Sequence, residues 1–136
     1  VNWEVEQKSR IIYENEFFIA FCPFVSKYPY ELRIFPKDGH AHFEKMPEPL
    51  DKYLADIVSV IFRKLKKSLD DPPYNFFIHT ASVKEDPVNK FHEFYTWHIE
   101  IIPKLGMIGG FELGTGVYVN VVDPDEAAKL LRETEI

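Results

Sequence analysis

From Pro49 to Leu69 the apolar residues Leu50, Tyr53, Leu54, Ile57, Val58, Ile61, Phe62, Leu65 and Leu69 recur at helical spacing. This predicts one long amphipathic helix, and a helix with a single apolar stripe needs another layer to cover it. Pro49 suits the first turn, and Arg63, Lys64, Lys66 and Lys67 read as charges favouring the negative pole of the helix dipole. Asp70-Asp71-Pro72-Pro73 stops the helix.

The covering layer is predicted to be a sheet. Arg10–Glu14 and Phe17–Phe24 are short apolar runs around Asn15-Glu16, a hairpin although the favoured Asn-Gly is absent. Pro23 and Pro29 stiffen a loop, Glu31–Pro36 alternates as a third strand, and Tyr74–Ala81 reads as a fourth. Ser82–His92 has no period and reads as a loop. Phe94–Pro103 alternates Tyr95, Trp97, Ile99 and Ile101 against Thr96, His98, Glu100 and Ile102, the mark of a half-buried strand. Val117–Val122 is strand-like. Asp123 as N-cap, Pro124 in the first position and Glu126 in the third predict a capped terminal helix over Ala127–Glu133. The expected class is α+β: an antiparallel meander of about five to six strands, one long helix and a C-terminal helix.

The 136 residues, 46% of them hydrophobic, fit a single domain over 1–136. A net charge of −6, with 16 basic residues forming no dominant stripe, argues against nucleic acid as a partner. The lone Cys22 sits in an apolar run and forms no disulfide framework, which fits a reducing, cytoplasmic setting. No apolar run reaches the ~20 residues that span a bilayer, so no membrane partner is expected. The start at Val1 is compatible with removal of an initiator Met and equally with a piece of a longer chain.

His98 and Glu100, two residues apart on one strand, project the same way roughly 7 Å apart. Such a pair suits a shared metal ion or phosphate; solvated surface residues are the other reading, and spacing does not decide between them. If the fourth and fifth strands pair, His79 joins them as a third ligand, with His92 a weaker fourth candidate. His40 and His42, in the loop after Pro36, read as metal ligands or, with no third partner nearby, more readily as surface residues. Gly109, Gly110, Gly114 and Gly116 match neither the dinucleotide nor the Walker pattern. They serve either turns or the close approach of a ligand.

The order Arg10-Ile11-Ile12-Tyr13-Glu14-Asn15, Phe21-Cys22-Pro23-Phe24, Pro29-Tyr30-Glu31, Pro36-Lys37, the long helix, Phe77-Ile78-His79 and Trp97-His98-Ile99-Glu100-Ile101-Ile102-Pro103, followed by Gly110-Phe111-Glu112, resembles the histidine-triad superfamily. Within it, the chain from Arg10 onward is similar to the C-terminal half of the galactose-1-phosphate uridylyltransferases. That resemblance implies two tandem domains. The first would carry a His-Pro-His-type motif whose second His attacks the α-phosphorus of a UDP-sugar, giving a uridylyl-histidine that a hexose 1-phosphate resolves. No such motif exists in these residues. In the His-x-His-x-His pattern His98 takes the first place, Glu100 the nucleophile's and Ile102 the third, so this chain alone is expected to be inactive.

The resemblance further implies a structural metal, zinc or iron, held by His79, His98 and Glu100 with a Glu from the missing N-terminal half. Glu100 departs from the family's His. It also implies hexose recognition by Phe111 and Glu112, often across a subunit boundary, and hence a homodimer. A carboxylate accepts hydrogen bonds from neighbouring sugar hydroxyls while an aromatic ring covers the apolar sugar face. Two further readings remain: a non-catalytic nucleotide-binding module, and a related sugar-nucleotide phosphorylase.

Overall fold

A computed structural model describes residues 2–84, 88 and 90–136. Five strands form one antiparallel sheet in the order β1-β2-β3-β5-β4, where β1 is Ile11–Glu14, β2 Phe18–Phe21, β3 Leu32–Pro36, β4 Tyr74–His79 and β5 His98–Pro103. The long helix α2, Asp51–Ser68, lies on one face after a 3-10 turn at Glu48–Leu50. Ile57, Ile61 and Leu65 of its stripe meet Phe18, Leu32, Ile34, Trp97 and Ile101 in the core. Each such side chain fully withdrawn from water contributes about 1.5–3 kcal/mol relative to exposure.

The hairpin lacks Asn-Gly because Asn15 closes it by other means. Its Oδ1 accepts from the amides of Phe17 and Phe18, and its Nδ2 donates to Tyr53 O of α2 at 2.8 Å. One side chain thus turns the chain and fastens the turn to the helix. The capped terminal helix, α5, runs Pro124–Glu133, with Asp123 Oδ1 accepting from Asp125 N at 2.7 Å.

Lys64 does not serve the pole of its own helix. It is 8% exposed and donates to Arg132 O and Thr134 O at 3.0 and 2.6 Å, closing the C-terminal end of α5. A short helix at Asn2–Gln7, α1, precedes β1; Arg10 Nε donates to its Glu4 at 2.8 Å, and Trp3 meets Phe24 edge-on.

Two strand expectations are corrected. The fifth strand begins only at His98, because Phe91–Phe94 forms a helical turn, α3, and Trp97 N is taken by His40 O at 2.8 Å. Among the described residues Val117–Val122 pairs with no strand. Side chains take two of its amides, Val117 N by Thr115 Oγ1 and Val122 N by Asn120 Oδ1, and such local bonds compete with a ladder. The glycine-rich stretch before it contains a helix, α4, at Gly110–Thr115, closed by Gly116 at φ +71°, the left-handed cap glycine provides at no steric cost. The polar segment after Ser82 falls partly at 85–87 and 89, outside the described residues. Among the described residues no helix is long and apolar enough to cross a membrane.

Candidate functional site

The register of the sheet decides what meets on the face away from α2. Ile19 pairs with Phe35, Ile34 with Ile99 and Arg33 with Glu100; on the other side of β5, His79 pairs with His98 and Phe77 with Glu100. Two rows therefore cross four strands: Ile19, Phe35, His98, His79 and, one step along, Phe21, Arg33, Glu100, Phe77. In the first row Phe35 stacks on His98 at 4.5 Å between ring centres, and His98 on His79 at 4.9 Å.

His79, His98 and Glu100 come together, each offering a ligand atom within 4.8 Å of the others. His79 Nε2 lies 3.6 Å from Glu100 Oε2 and His98 Nε2 3.5 Å from Glu100 Oε1. His98 Nδ1 is 3.1 Å from Thr96 O, a contact that requires the proton on Nδ1 and leaves the Nε2 lone pair toward the carboxylate. Burial, the largest influence, holds the His98 pKa below its ordinary value and so favours the neutral ring. The His98 Nε2 lone pair and the Glu100 carboxylate thus face one another, an arrangement that a cation would complement. The donor set, two imidazoles and a carboxylate with one ring anchored through its second nitrogen, fits zinc or iron as three of its ligands.

Beyond this expected trio stands Arg33. Its Nη2 is 3.0 Å from Glu100 Oε1 and 3.0 Å from Glu31 Oε1, while Glu31 Oε2 accepts from Lys27 N at 2.8 Å. Sequence reading missed it, although Glu31 and Arg33 share the two-residue spacing of His98 and Glu100.

One step further along β4 and β5, past Phe77 and Glu100, a cavity of about 670 Å³ opens between the strand ends and the segment after Pro103. Lys27, Asn75, Ile102, Lys104, Glu112 and Tyr118 line it. Glu112 Oε2 accepts from Gly109 N at 3.0 Å, which fixes the carboxylate at the start of α4. A hydrogen bond to Tyr118 first, then burial, pushes the Tyr28 phenol on its rim up to about 12. Phe111 is 58% exposed and is not among the residues that line the cavity.

The remaining histidines go elsewhere. His40 is exposed, as expected; His42 is buried, contrary to expectation, with Glu44 Oε1 3.2 Å from its Nδ1 and His92 Nδ1 3.4 Å from its Nε2. His92 thus sits with His42, outside the trio.

A profile of the HIT domain matches residues 4–106. An ADP-glucose phosphorylase from Arabidopsis thaliana is 38% identical over 134 residues, and a galactose-1-phosphate uridylyltransferase from Thermotoga maritima is 34% identical over 140. Each comparison takes in 98% of this chain but only 37% and 43% of the relative. The crystal structure of the Arabidopsis thaliana ADP-glucose phosphorylase with bound ADP-glucose superposes with a TM-score of 0.89 at 36% identity, over 98% of this chain and 42% of that one. The sheet order, the single long helix and the matched residues together make this chain a member of the HIT-domain family.

Proposed function

We propose that this chain is the sugar-phosphate-recognising, metal-binding C-terminal half of a nucleotidyltransferase whose attacking histidine lies in an N-terminal half beyond these residues. The carrying observation is the cavity that places the Glu112 carboxylate with two lysines, Lys27 and Lys104. A carboxylate accepts from adjacent sugar hydroxyls, and ammonium groups meet a phosphate. Glu100 takes the place where a nucleophilic imidazole would stand, yet it faces two imidazoles and a guanidinium. Held so, it suits a ligand or a scaffold, not attack on phosphorus. His79, His98 and Glu100 then hold zinc or iron, which supplies a structural cross-link between β4 and β5 when bound.

The preferred reaction is transfer between a UDP-sugar and a hexose 1-phosphate in a cytoplasmic homodimer. Exposed side chains on the segment after Pro103, Met107 and Leu113 among them, support a subunit contact there. A sugar-nucleotide phosphorylase is the second reading, supported by the 38% identity to the ADP-glucose phosphorylase. Calorimetric titration of the chain with galactose 1-phosphate, glucose 1-phosphate, UDP and ADP tests the proposal. Hexose 1-phosphates should bind better than nucleotides, and Glu112→Gln should weaken them about tenfold, as for loss of one charged hydrogen bond. A nucleotide-first preference untouched by Glu112→Gln would instead make this a non-catalytic nucleotide-binding module.

A further inference from the structure

Arg33 stands where no ligand role requires it. Its guanidinium reaches across from β3 to Glu100 on β5 and is held from behind by Glu31, a buried carboxylate that is itself fixed by the amides of Lys27 and Tyr28. Among the described residues its Nε is buried without a hydrogen-bond partner, while its Nη2 meets both carboxylates at 3.0 Å. Because an arginine stays charged at every accessible pH, this is a permanent positive charge at the edge of the His79–His98–Glu100 cluster.

We infer that Arg33 is a positioning residue that sets the cation affinity of this cluster: a divalent ion must share Glu100 with a guanidinium already 3.0 Å from its Oε1. This rests on the metal reading of the trio. The charge count decides the sign. Glu31, Arg33 and Glu100 together carry one net negative charge. Removing the arginine charge leaves two negatives beside the ion, and removing the Glu31 charge leaves none. Arg33 also draws charge from the ligating carboxylate, the opposite of the outer partners that make a ligand more basic. The guanidinium therefore holds affinity down and keeps Glu100 in place when no ion is bound.

The test is titration of the metal-stripped 136-residue chain with Co2+, followed by the visible absorbance of the bound ion and checked by equilibrium dialysis. Arg33→Gln, which removes the charge and keeps a polar side chain, should tighten binding about tenfold or more, and Arg33→Lys, which keeps the charge, should stay within about twofold of the parent. Glu31→Gln should weaken binding by about tenfold, so the sign can be read even if Arg33→Gln does not fold. Cobalt bound equally or more weakly by Arg33→Gln, equal tightening by Arg33→Lys, or no weakening in Glu31→Gln overturns the role of Arg33 and leaves the metal site standing. No cobalt bound by the parent or any variant overturns the metal site, and the inference with it.

Discussion

Asp125 shows how a single side chain ties three elements together. It accepts from Arg10 Nη1 at 3.2 and 3.0 Å, and Arg10, the residue before β1, in turn holds Glu4 of α1, so α1, α5 and the entry to β1 meet at one guanidinium. A hydrogen bond from the Ser9 side chain first, then Arg10, keeps the Asp125 carboxyl below its ordinary range. A carboxylate depressed in the folded state contributes stability above the unfolded value, about 3.9, and that contribution is lost as pH falls through the folded one. Asp125→Asn should therefore lower the urea midpoint at pH 7 and flatten its decline below about pH 4; an unchanged acid limb would show that the contact carries no linkage. At this scale the sequence was legible where partners are near in strand period: His98 and Glu100 face one way because β-structure repeats every two residues. Arg33 was hidden because its meeting with Glu100 depends on the β3–β5 register.

The ends of α5 are secured by opposite means. Asp123 caps its start from within the same segment, and sequence alone exposed that role; Lys64 reaches its last carbonyls from the C-terminal part of α2, and sequence alone assigned the lysine to the wrong helix. Asp123→Ala should cost about 1 kcal/mol, the usual worth of an N-cap, measured by urea denaturation, with faster amide exchange in the first turn of α5. No loss would mean that Pro124 and the packing of Ala127, Ala128 and Leu131 hold the turn without it. The long helix and the hairpin were readable because their patterns are local. Val117–Val122 was not, since its alternation suits a strand while Thr115 and Asn120 claim its amides.

In the whole molecule, one face of the sheet is closed by α2 and α5 and the other carries every group assigned to chemistry, from Phe35 through His98 and His79 to the cavity at Glu112. Under the proposed function, that division makes one side the scaffold and the other the recognition surface. The fold followed from the stripe of α2 and the alternation of β5; the activity could not, because this chain spans only 37% and 43% of the two relatives. The most direct test of a recognising but non-transferring half is the intact mass of the chain after incubation with UDP-glucose and ADP-glucose. An unmodified mass is expected for the parent chain and for Glu100→Gln alike. A nucleotidyl adduct on the parent that disappears in Glu100→Gln would make Glu100 a nucleophile and contradict the account.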